Sequence, residues 1–148
     1  MNGKIEKYLK HKSIVYLDTA PIIYFIQEDP QYLAAVKEVF LRIDNGAIRA
    51  ISSFLTLLEL LVKPLEVQAY DLVGQYRDLL RSCLTLYPVE QIVSEKAAEL
   101  RAKYRYRTPD AIQIATALSF GAQLFITNDL ELKKKIHEIE VLNLSDLV

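Results

Sequence analysis

Four carboxylates in this sequence stand at positions suited to metal chemistry. Asp18 follows the apolar run 14–17, and Asp129 follows the apolar run 124–126 after Thr127 and Asn128. Asp110 opens a stretch that continues Ala111, Ile112, Ile114, Ala115, Ala117 and Leu118, with only Gln113 and Thr116 polar among them. Glu59 is flanked by Leu57, Leu58, Leu60, Leu61 and Val62, and charged groups are rarely fully buried unless paired or bound to metal. Each acid also has a purely structural reading. An acid at a helix N-terminus meets the helix dipole, worth about 0.3–1 kcal/mol, and Glu59 can pair with Lys63 four residues on. Convergence of the four changes the physics. Two carboxylates about 5 Å apart repel by about 3 kcal/mol at an effective dielectric near 20. Four such charges require cations or protons, and oxygen-only ligands select hard cations such as Mg²⁺ or Mn²⁺. A carboxylate-held cation suits phosphoryl transfer.

The elements that must bring these acids together alternate along the chain. The runs 14–17, 48–51, 84–87, 124–126 and 141–144 read as strands. Helical spacing joins them, as in Tyr32, Val36, Val39, Phe40 and Ile43, in the Leu-rich stretch ending near Pro64, in Val67, Tyr70, Val73 and Leu80, and in Val93, Ala97, Leu100 and Tyr104. Thr19, Ser52, Ser53 and Thr108 are cap candidates, Pro109 suits a first helical position, and Gly121 suits a helix stop. Asp129 opens a Lys-rich helix. The rhythm predicts an α/β fold, a mostly parallel sheet of about five strands with helices on both faces. Ligands bind such sheets just outside the carboxyl ends of the strands, where Asp18 and Asp129 fall.

Composition narrows the class. The chain has 148 residues, a length suited to one domain covering 1–148. Hydrophobic residues make up 51% and charged residues 25%, which excludes a wholly disordered chain. The 18 Lys+Arg against 19 Asp+Glu leave a net charge of −1, so any nucleic-acid contact must come from a local patch. One cysteine excludes a disulfide framework and a multi-cysteine zinc site. No stretch reaches the ~18–20 apolar residues of a membrane span, and none has the apolar core of a signal peptide; a cytoplasmic protein is expected. The one basic and aromatic tract is Lys103, Tyr104, Arg105, Tyr106 and Arg107. Its cations suit phosphates and its rings suit base stacking; equally, it suits a helix C-terminus. The lysines at 133–135 read as a solvated face.

Four segments in order carry a family resemblance: YLDTAPIIYF (16–25), SSFLTLLELLVKP (52–64), RTPDAIQIATAL (107–118) and LFITNDLEL (124–132). They resemble the successive motifs of PIN-domain nucleases, and the compact length resembles the VapC-type toxins of bacterial toxin–antitoxin pairs. The resemblance implies a three-layer α/β/α sandwich and a Mg²⁺- or Mn²⁺-dependent endoribonuclease. It makes Asp18, Glu59, Asp110 and Asp129 the catalytic, metal-binding acids, with Thr19, Thr127 and Asn128 as supporting polar residues. It also implies an RNA substrate, a cognate antitoxin and a homodimer, for which Tyr24, Phe25, Ile26, Tyr32 and Phe40 are the apolar candidates. Residues 1–13 form an extension before the first strand. A housekeeping RNA-processing nuclease and a non-catalytic PIN-like binding module are the alternatives. A phospho-receiver domain fits less well, because Thr19 stands where a receiver has a second acid.

Overall fold

The computed structural model describes residues 3–148, leaving aside the side chains of residues 133–135. The chain opens with helix α1 (Gly3–Leu9) and then runs β1 (Ile14–Leu17), α2 (Thr19–Ile26), α3 (Leu33–Asp44), β2 (Arg49–Ser53), α4 (Phe54–Glu66) and α5 (Tyr70–Cys83). It continues through β3 (Leu84–Tyr87), α6 (Gln91–Tyr104), α7 (Thr108–Ser119), β4 (Leu124–Thr127), α8 (Leu130–Lys135) and β5 (Glu140–Asn143), and closes in a 3-10 turn, Leu144–Leu147.

Successive side chains of a strand point to opposite faces, and strands of parallel sheets are apolar on both. Val15 and Leu17 of β1, with Leu124 and Ile126 of β4, pack on one face against Ile22, Val36, Phe40 and Leu80. Tyr16 and Phe125 pack on the other against Val93, Ile114 and Ala115, their rings stacked with centroids 4.9 Å apart. Helices α1–α5 therefore cover one face, and α6–α8 the other, giving the three layers the sequence predicts. Among the described residues the five strands form one sheet in the order β3-β2-β1-β4-β5. Every pairing is parallel, so the sheet is more uniform than expected. The chain builds outward from β1 to β3, then crosses back to place β4 on the free side of β1. That reversal opens a crevice at the carboxyl ends of β1 and β4.

Helix α4 ends near Pro64, as expected: the proline lies buried in its last turn and the helix runs two residues on to Glu66. A proline there forfeits a single backbone bond, and the following Val67, Gln68 and Ala69 N–H groups satisfy the carbonyls of Lys63, Leu65 and Pro64. Several boundaries differ from the sequence reading. Val67 and Tyr70 do not join the core face of α5; both are exposed, and Val73, Tyr76 and Leu80 form that face. Thr19 is the first helical residue of α2, and the cap is Asp18. Thr108 likewise lies inside α7, with Arg107 at the cap position. Ser52 belongs to β2, while Ser53 caps α4 by accepting from Leu55 N at 3.0 Å. The last strand ends one residue early, because the Asn143 side chain accepts from Ser145 N and turns the chain.

The N-terminal extension is part of the packing. Ile5 and Leu9 of α1 are 1% exposed and join the cluster on the α2–α5 face. No described helix is long and apolar enough to cross a membrane.

Candidate active site

The carboxyl end of β1 delivers Asp18. Its backbone N–H donates to the Ile126 carbonyl at 3.0 Å, extending the β1–β4 pairing by one rung. Its Oδ1 accepts from Thr19 N at 2.8 Å, and its Oδ2 accepts from Thr127 Oγ1 at 2.7 Å. The same Thr127 oxygen accepts from Asp129 N at 3.1 Å, so one buried hydroxyl links the two strand ends. Asp129 caps α8, its Oδ1 accepting from Glu131 N at 3.0 Å. Asp110 lies in the first turn of α7, where Arg107 Nε donates to its Oδ2 at 3.2 Å. Glu59 projects from the middle of α4 and accepts from Gln113 Nε2 at 2.9 Å. It is exposed, as its structural reading has it, yet its bonded partner is Gln113 and not Lys63.

All four acids line one cleft of about 270 Å³, together with Thr19, Thr127 and Asn128. Burial raises the Asp18 carboxyl above the ordinary Asp value; Asp110 and Asp129 push it further, while the Thr127 and Thr19 bonds oppose the rise. Glu59 is raised first by partial burial and then by Asp18 and Asp110, against the lowering bond from Gln113 and the charge of Arg107. These shifts are what repelling carboxylates in a shared, partly dry site produce. An oxygen-only, acidic donor set fits a hard divalent cation. Among the described residues no group of three or more acids, histidines or cysteines stands close enough together to hold a metal ion. Mg²⁺ needs no such group, since it keeps several waters and is held through one or two carboxylates. A larger hollow of about 650 Å³, between Ser13 and Thr85, carries no carboxylate in its lining.

A family model described as the PIN domain matches residues 15–137. The chain belongs to the PIN domain family. No curated protein matches it. Among solved structures, this PIN domain is similar to VapBC2 from Rickettsia felis, solved with a promoter DNA fragment (TM-score 0.70, 19% identity, 88% of this chain and 98% of that one). It is also similar to VapBC-1 from nontypeable Haemophilus influenzae (TM-score 0.68, 20% identity, 89% and 98%). A third likeness is to the Mycobacterium tuberculosis VapC20, a Sarcin-Ricin loop cleaving toxin (TM-score 0.63, 14% identity, 85% and 98%).

The supporting polar residues of this PIN domain divide by task. Thr127 holds Asp18 and the Asp129 backbone. Asn128 lines the cleft but turns its amide to Tyr24 Oη (2.8 Å) and Ser145 N (3.0 Å), so it braces the cleft wall. Thr19 contributes its backbone N–H. Of the basic and aromatic tract, Arg107 alone lines the cleft. Lys103 pairs with Glu138 at 3.6 Å, and Tyr104 donates to the same carboxylate. Arg105 caps α6 with φ 60°. Tyr106 is buried in the α6–α8 cluster, which corrects its reading as a base-stacking ring: a side chain inside the core offers no face to a base. The lysines at 133–135 lie outside the described side chains.

The sequence reading missed what lies beneath Glu59. Gln113, buried in α7, accepts from Thr56 Oγ1 at 3.0 Å and from the Tyr16 hydroxyl. Ser52 Oγ sits 2.8 Å from Thr56 Oγ1 and 2.7 Å from the Leu17 carbonyl. Tyr16, Ser52 and Thr56 are each 0% exposed. The available signal was a lone glutamine on a helix otherwise apolar on nearly every face.

Proposed function

We propose that this PIN domain is a Mg²⁺- or Mn²⁺-dependent endoribonuclease that acts as the toxin of a toxin–antitoxin pair. The observation that carries the reading is the gathering of Asp18, Glu59, Asp110 and Asp129 around one cleft at the sheet's switch point. One or two of these carboxylates would hold the cation directly, and the others would face its bound waters. When bound, it supplies positive charge for the phosphodiester and lowers the pKa of water. Asp18 stays oriented through Thr127 and Thr19, and Arg107 stands at the rim, 78% exposed in its side chain, as a cation for an RNA phosphate. The toxin assignment draws on the likeness to VapBC complexes and to VapC20. It makes an antitoxin the protein partner and a second copy of the chain the oligomeric one. The working compartment is the cytoplasm.

The test is cleavage of RNA by purified protein with Mg²⁺, with Mn²⁺ and with EDTA. Cleavage is expected only with metal, leaving 5′-phosphate and 3′-hydroxyl ends, and Asp110→Asn should reduce it to background while circular dichroism stays parental. Cutting in EDTA, or cyclic-phosphate ends, overturns the metal mechanism.

A further inference from the structure

We infer that Gln113 is the positioning residue for Glu59, a buried amide locked from below that aims the carboxylate into the acidic cleft. The inference rests on the metal-site reading of that cleft and adds a residue to it.

Gln113 is 3% exposed, and an amide has one end that accepts and one that donates. The Tyr16 and Thr56 hydroxyls both approach Oε1, which leaves Nε2 to face the Glu59 carboxylate at 2.9 Å. Reversing the amide would set oxygen against carboxylate and an NH₂ group against the two hydroxyls. The hydroxyls can donate or accept, but the carboxylate only accepts, so the contact with Glu59 is what selects Nε2 as the outward end. The cluster of Tyr16, Ser52, Thr56 and Gln113 spans the sheet, α4 and α7, and Gln113 Nε2 is its outlet to the cleft.

Glu59 needs such a fixture. Its side chain is long, sits mid-helix and is exposed, so it carries rotamer entropy that must be removed before it can hold a cation. Its like-charged neighbours Asp18 and Asp110 push it away. A lysine or arginine in place of Gln113 would hold the carboxylate but cancel its charge. A neutral donor fixes the direction and leaves the charge for the metal, the usual role of groups behind metal ligands.

The probe is Mn²⁺ alone, titrated into the full chain with the free ion followed by electron paramagnetic resonance. Gln113→Met keeps length and removes the donor. Tyr16→Phe/Gln113→Met also removes the hydroxyl that the single change would strand, so a folded protein is kept for the test. Both should bind Mn²⁺ roughly 10- to 100-fold more weakly than the parent, the range for groups behind a metal ligand. Leu80→Ala, a core truncation on the opposite face, should lower the melting temperature without moving Mn²⁺ affinity. In a Glu59→Gln background, Gln113→Met should have no further effect. Parental affinity in the Gln113 variants, or losses that add to those of Glu59→Gln, overturns the inference alone. A parent that binds no Mn²⁺ overturns the metal reading and this inference with it.

Discussion

Asp18 caps α2 through one oxygen and takes the Thr127 hydroxyl on the other, while burial, Asp110 and Asp129 raise its pKa. Its folded pKa thus stands above the unfolded carboxylate's ~3.9. The folded state binds the proton more tightly than the unfolded chain, so this group favours folding at low pH. That contribution is lost as pH rises through the folded value, the reverse of an acid held by a salt bridge. Glu59 shifts in the same direction. Asp18→Asn cannot titrate. In EDTA it should melt at or above the parent near pH 7, and its advantage should shrink as pH falls toward 4. A gain of about 1 kcal/mol would read as roughly 2–4 °C in a domain of ~150 residues. Melting curves from pH 4 to 8 check this; a variant that melts lower throughout, with the parent's pH slope, would make Asp18 a cap first. With Mg²⁺ present the parent should regain stability at neutral pH and lose that gain in acid, because protons compete for the same oxygens.

Helix α4 carries Glu59 toward the cleft and Thr56 toward Gln113, and its start is fixed by the Ser53 cap. Ser53→Ala should cost about 1 kcal/mol, read as a drop in melting temperature, with Mn²⁺ affinity of the folded protein unchanged. The strands were legible because each is a short apolar run between turn residues, and the four acids because they stand at the ends of those runs or break an apolar helix. The end of α4 near Pro64 was legible, and burial of the last turn carries the helix two residues further to Glu66. The caps at Asp18 and Arg107 were displaced by a residue because Thr19 and Thr108 resemble good caps in isolation. The cluster behind Glu59 was not legible. Gln113 meets Glu59, Thr56 and Tyr16 across 54, 57 and 97 residues, and only the sheet order and the α4–α7 approach bring them together.

At the scale of the whole molecule, the aromatic residues read as a dimer surface also pack on one another within the chain, while Tyr24, Phe25, Ile26 and Tyr32 stay half-buried. Phe25 stacks on Phe40 at 4.1 Å and Tyr24 on Tyr32 at 4.6 Å. A second exposed apolar stripe lies on α4, where Phe54, Leu58, Val62 and Leu65 recur at helical spacing with Leu58 59% exposed. A stripe of that kind on a helix face is suited to a partner. We expect the homodimer to form there: Val62→Lys should shift the mass measured by light scattering at micromolar concentration from dimer to monomer, with the melting curve still cooperative. A parent that is already monomeric would sink this arrangement. The sheet order has one more consequence, for the protein's birth. β1 pairs with β4 through Val15 and Leu124, so the central strand waits for a partner made more than a hundred residues later. At about 5–20 residues per second of synthesis, one edge of β1 stays open for roughly 5–20 s on a growing chain, a template for wrong pairing. Thr127 and Asp129 emerge later still. A nascent chain therefore lacks the complete acidic cleft until β4 and the Asp129 that follows it have been made.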